Sequence, residues 1–127
     1  MTHFLQTHGK TLRELHLGGG FIVTDTLLQV ITQTAPRLRY LALTDRALRI
    51  TDKGLIMIAT SMFHLEKLFL RYPHNITTEG ISILAHLSHN HNLHSIRILG
   101  NRKSGNPMST LEEGTFPESC SLTYTGL

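Results

Sequence analysis

The chain has 127 residues, 40% hydrophobic and 17% charged, with a formal net charge of +3, enough apolar material for one modest core. Its 12 Lys and Arg are interspersed with 9 Asp and Glu and form no basic run, so nucleic acid is not an expected partner. No apolar stretch approaches the roughly 18 to 20 residues of a membrane span. The single cysteine, Cys120, excludes an intramolecular disulfide, and Met1 to Lys10 lacks the apolar run of a signal peptide, which together fit a cytoplasmic or nuclear protein.

The first patterned block is Leu12-Arg13-Glu14-Leu15-His16-Leu17, of the form LxxLxL. It recurs as Leu38-Arg39-Tyr40-Leu41-Ala42-Leu43, Leu65-Glu66-Lys67-Leu68-Phe69-Leu70 and Leu93-His94-Ser95-Ile96-Arg97-Ile98, at spacings of 26, 27 and 28 residues. Alternate residues of a strand face opposite ways, so Leu15 and Leu17 point toward a core while Glu14, His16 and Gly18 point away. Gly18-Gly19-Gly20 then reads as a permissive turn, because no Lys-Ser or Lys-Thr pair follows it to meet phosphate and magnesium.

A second phase lies between the blocks: Val23-Thr24-Asp25, Ile50-Thr51-Asp52 and Ile76-Thr77-Thr78. Thr24, Thr51 and Thr77 suit helix N-caps, and Asp25, Asp52 and Glu79 place negative charge in the positive first turn. Helical apolar spacing follows each cap, through Leu28 and Ile31, then Leu55, Ile58, Ala59 and Met62, then Ile81, Leu84, Ala85 and Leu87. Each unit is therefore strand, turn, helix, and one unit alone cannot bury its leucines. Stacking such units gives the expected fold: an α/β leucine-rich-repeat solenoid, a short horseshoe with parallel strands on the concave face and helices on the convex face.

The composite of LxxLxL, a short turn, (I/V)TD and an apolar helix resembles the cysteine-containing leucine-rich repeats of F-box and leucine-rich-repeat proteins. The resemblance covers about residues 4 to 101, with Phe4 and Leu5, then Gly9-Lys10-Thr11-Leu12, resembling the helix end and linker of an earlier repeat. It implies a substrate-recognition role in a ubiquitin ligase, the adaptor being bound elsewhere by an F-box. The turn position usually filled by Cys holds Gly20, Arg46, Pro73 and Asn101, and only Asn101 matches the Asn of other leucine-rich repeats. The residues ahead of Leu12 are too short for an F-box, so a ligase complex is expected only through a longer parent chain, or with this chain as a truncated competitor.

In the predicted register the outward residues form three columns: Glu14, Tyr40, Lys67 and Ser95; His16, Ala42, Phe69 and Arg97; Gly18, Thr44, Arg71 and Leu99. The expected partner-binding residues are Glu14, His16, Tyr40, Lys67, Phe69, Arg71 and Arg97. Tyr40 and Phe69 offer rigid apolar area, and Arg71 and Arg97 offer charged hydrogen bonds, a composition common at interfaces and suited to an acidic or phosphorylated peptide or protein segment.

Four of the nine histidines crowd into one stretch, His86, His89, His91 and His94. Their spacing makes them candidates for zinc, but in the repeat register they need not converge, so a solvated connector is the expectation and no metal or cofactor is assigned. Asp45, Asp52, Glu66 and Glu79 form no paired carboxylates within one repeat phase, and Cys120 sits in a polar tail without an activating partner, so no enzyme is expected.

Residues 1 to 101 thus read as the repeats, namely a partial first unit, about three full units and a final strand. Residues 102 to 127 read as a loosely ordered tail, or as a partial cap through Phe116, Leu122 and Tyr124. Leucines awaiting neighbours at both ends predict a fragment of a longer solenoid or self-association through a repeat end. The expected function is a protein-interaction module for ligase substrate recognition; the alternatives are a scaffold or assembly protein without a link to ubiquitin, and metal binding through the His86 to His94 loop.

Overall fold

Each long helix begins where a threonine hydroxyl takes over an orphan backbone amide. In the computed structural model, which describes residues 2–18, 23–44, 49–71, 75–86, 92–100 and 121–126, Thr24 Oγ accepts from Leu27 N at 3.2 Å and opens helix α2, Asp25–Thr34. Thr51 Oγ accepts from Lys53 N at 3.3 Å and opens α3, Asp52–Ser61. Thr77 Oγ accepts from Gly80 N at 3.1 Å at the start of α4, Thr78–His86. The caps expected at Thr24, Thr51 and Thr77 are all made, and Asp25, Asp52 and Glu79 stand in the first turns as the helix dipole favours. Ahead of them, α1 spans Thr2–His8 and runs into a 3-10 turn, Gly9–Thr11, closed by Leu12 N donating to Gly9 O at 3.1 Å.

Strands β1 (Glu14–Leu17), β2 (Tyr40–Leu43), β3 (Lys67–Arg71), β4 (Ser95–Gly100) and β5 (Ser121–Gly126) form one sheet in chain order. Every neighbouring pair is parallel, so the chain must cross back after each strand, and between β1 and β4 the helices α2, α3 and α4 lie on those crossings. A single core joins the inward strand residues Leu15, Leu17, Leu41, Leu43, Leu68, Leu70, Ile96 and Ile98 to the helix residues Leu28, Ile31, Leu55, Ile58, Ile81 and Leu84. The helices therefore cover that face of the sheet, with α2 against α3 and α3 against α4. Each fully buried Leu or Ile contributes about 1.5–3 kcal/mol relative to exposure, so the alternation within the strands decides which way the sheet faces.

Two polar contacts tie successive units together. Asp25 Oδ1 accepts from Thr51 N at 2.9 Å and its Oδ2 from Thr51 Oγ at 2.6 Å. One unit on, Asp52 Oδ1 accepts from Thr77 N at 2.9 Å and its Oδ2 from Thr77 Oγ at 2.6 Å. The Thr-Asp pair thus has two jobs: Thr caps its own helix, and Asp holds the cap of the following unit. The carboxylates approach so closely that glycine is required beside them: a Cβ on Gly54 would lie 2.6 Å from Asp25 Oδ1.

The segment read as a loose tail or partial cap, 102 to 127, contributes a strand at its far end. β5 pairs with β4 in the parallel register that joins the other strands, placing Leu122 beside Ile96 and Tyr124 beside Ile98. Residues 101–120, with Asn101, Phe116 and Cys120, lie outside the described residues, as do Gly19, Gly20, Asp45, Arg46, Pro73 and Leu87. Among the described residues no helix is long and apolar enough to cross a membrane.

Candidate protein-interaction face

The face of the sheet away from the helices carries the outward strand residues in straight columns. Glu14, Tyr40, Lys67 and Ser95 are partners across β1 to β4, as are His16, Ala42, Phe69 and Arg97, and Arg71 stands beside Leu99. Neighbouring strands lie about 4.7–4.9 Å apart, so residues in one column reach one another. Past the strand ends, Thr44 continues the pattern: its N and Oγ both donate to Leu17 O, at 2.8 and 3.2 Å. Gly18 lies against that hydroxyl, with no room for a Cβ.

The expected site residues gather into two clusters. On the β1 side, His16 stacks on Tyr40 with ring centroids 4.9 Å apart and 24° between planes, and Glu14 Oε2 lies 4.0 Å from His16 Nε2. Both side chains are exposed, so the contact adds little stability. On the β3 and β4 side, the Arg97 guanidinium sits over the Phe69 ring at 5.5 Å. Ala42 stands between His16 and Phe69 in register and is only 1% exposed, so the column is interrupted at β2 where an open position was expected. Lys67 and Arg97 are exposed, and Tyr40, Phe69 and Arg71 are half-buried. The cations Lys67, Arg71 and Arg97 lie on β3 and β4, while the carboxylate Glu14 lies on β1, which polarises the face.

Sequence reasoning missed a second feature at the rim where the strands begin. Arg13, Arg37, Arg39 and His64 line a cleft of about 260 Å³. An adjoining cleft of about 320 Å³, lined by Arg13, Glu14, Arg39, Tyr40, Glu66 and Lys67, leads from that rim onto the outward face. Backbone bonds hold the rim column in place: Arg13 O accepts from Arg39 N and Tyr40 N at 2.7 and 3.1 Å, and Arg39 O from Glu66 N and Lys67 N at 2.8 and 3.0 Å. The available signal was the repeated Leu-Arg pair, Leu12-Arg13 and Leu38-Arg39, one period apart.

No protein-family model matches this chain, and no curated protein is significantly similar to it.

Two of the four histidine candidates are described, and each has a local partner. His86 Nδ1 donates to Ser82 O at 2.8 Å within α4, and His94 Nδ1 donates to Asn92 O at 3.0 Å before β4. His89 and His91 lie outside the described residues. Among the described residues no group of three His, Cys, Asp or Glu is placed to hold a metal ion. Asp52 is committed to Thr77, so its role there is structural.

Proposed function

We propose that the chain is a stretch of leucine-rich repeats, stacked as a short solenoid, that works as a protein-interaction module whose outward sheet face receives an acidic or phosphorylated peptide segment. The observation that carries this reading is the Phe69 and Arg97 pair, with Lys67 and Arg71 beside it, on a parallel sheet whose helices all lie against the other face. Parallel sheets ordinarily have both faces covered, and an aromatic ring under a guanidinium supplies the rigid area and directed charge that dominate many interfaces. Cations concentrated on β3 and β4 favour a ligand that brings carboxylates or phosphate to that half.

The resemblance to F-box and leucine-rich-repeat proteins supports a specific task for such a module, substrate recognition for a ubiquitin ligase, with the ligase reached through a longer parent chain. A purified-chain screen of acidic, phosphorylated and neutral peptides, followed by fluorescence anisotropy, tests the interaction reading. Acidic or phosphorylated sequences should bind, and the double variant Phe69→Ala, Arg97→Glu should weaken them at least about tenfold with an unchanged circular dichroism spectrum. Absence of binders, or equal binding by the folded variant, overturns the reading. For the ligase task, the same double substitution in the parent protein should lose substrates but retain cullin-type ligase subunits, and failure to recover those subunits with the unsubstituted parent overturns it.

A further inference from the structure

We propose that the cleft between Arg13, Arg37, Arg39 and His64 is a pocket for a phosphate monoester, which anchors a phosphorylated side chain of the peptide crossing the outward face. The occupant rests on the interaction reading above; the charge chemistry does not.

The first argument is the composition of the wall. Three guanidiniums and an imidazole line it, and among the described residues no carboxylate does. Among the described residues no ion pair joins Arg13, Arg37 or Arg39 to a carboxylate; Arg13 Nη1 donates to Thr11 O at 3.2 Å. All four residues are exposed, so the three guanidinium charges and the imidazole stay in reach of a ligand. A phosphate monoester carries about −1.5 to −2 charges and three acceptor oxygens, and guanidinium forks match it through paired N–H donors.

Arg37 and His64 each follow a helix C-terminus, where positive charge is drawn to unpaired carbonyls. Some of the carbonyls at these ends have backbone donors. Ile31 O accepts from Ala35 N at 2.8 Å and Ala35 O from Leu38 N at 3.4 Å; Ile58 O accepts from Met62 N at 3.0 Å and Met62 O from Leu65 N at 3.2 Å. Among the described residues no hydrogen bond joins Arg37 or His64 to a carbonyl of α2 or α3.

The second argument is the path. The adjoining cleft shares Arg13 and Arg39 and continues past Tyr40 to Lys67. That second cleft also holds Glu14 and Glu66, so its charge is mixed, and an anion is selected for the rim. A peptide with its phosphorylated residue at the rim would run along Tyr40 toward the Phe69 and Arg97 pair.

Calorimetric titration of the full chain with inorganic phosphate, with N-acetyl-O-phosphoserine amide and with N-acetylserine amide tests the pocket. The phosphoserine compound should bind, its unphosphorylated counterpart should not, and Arg37→Gln with Arg39→Gln should lower the affinity at least about tenfold. Both positions are exposed, so circular dichroism should be unchanged. The double variant Phe69→Ala, Arg97→Glu should leave phosphoserine binding intact, which separates failure of the pocket from failure of the interaction face. Equal binding by the Arg37→Gln, Arg39→Gln variant, or no binding of phosphoserine, overturns the pocket. Inorganic phosphate binding as tightly as the phosphoserine compound overturns the peptide anchor in favour of a free-ion site.

Discussion

A side chain on Gly80 would collide with the carboxylate of Asp52: the Cβ position falls against Oδ1, Cγ and Oδ2 of that one residue. The carboxylate has no easy retreat, because both its oxygens are bonded to Thr77. Gly80 lies inside α4, where alanine would ordinarily be the better helix former by about 1 kcal/mol. We expect Gly80→Ala to destabilise the protein by about 1–2 kcal/mol instead, through the shift forced on Asp52. In an Asp52→Ala background the same change should be neutral or stabilising by up to about 1 kcal/mol. Urea unfolding of the four proteins checks the reversal of sign.

The two Asp-to-Thr contacts should differ in worth. The Asp25 bonds to Thr51 are partly buried, whereas the Asp52 bonds to Thr77 are exposed. Hydrogen bonds to a charged group contribute about 1.5–3 kcal/mol, and less where water competes. Asp25→Ala should cost about 2 kcal/mol and Asp52→Ala about half of that, measured by denaturant midpoint at constant m.

Two isoleucines of α3, two positions apart, report the helical period. Ile58 is fully buried and Ile56 is 41% exposed. Ile58→Ala should cost about 2–5 kcal/mol from lost burial and the cavity left behind, while Ile56→Ala should stay within about 0.5 kcal/mol. Thermal unfolding of both variants decides this, and comparable losses would mean that the helix faces the core differently.

The Arg97 and Phe69 contact should appear in a double-mutant cycle. With Arg97→Gln, Phe69→Leu and both together, the coupling energy should be about 0.5–1 kcal/mol, the range for a cation over a ring at an exposed site. A coupling near zero would place the guanidinium in solvent.

Much of this architecture was legible because its signals are local and recur. The LxxLxL blocks set the register that pairs Glu14 with Tyr40 and His16 with Ala42, and the threonine after each β-branched residue marked a helix start. β5 was harder to see. Leu122 and Tyr124 repeat the phase of Ile96 and Ile98, but Ser119 stands where the pattern would place the leading leucine held by Leu93. The partnership of Asp25 with Thr51 was hidden for a different reason: first-turn charge already accounts for an aspartate there, and only the spacing of one unit points to a second role. Ala42 shows the limit of strand alternation, which gives direction but not exposure. A methyl group between His16 and Phe69 is covered by its larger neighbours. The rim arginines were passed over because they do not belong to the outward columns.

Every strand pairs with the one before it, and each joining contact spans a single unit: Arg13 with Arg39, Leu17 with Thr44, Asp25 with Thr51. Among the described residues no strand waits for a distant one. A chain emerging from a ribosome meets each partner within the next unit made, and the finished edge serves as the template for the strand that follows. Folding can therefore proceed unit by unit in the order of synthesis, from β1 onward.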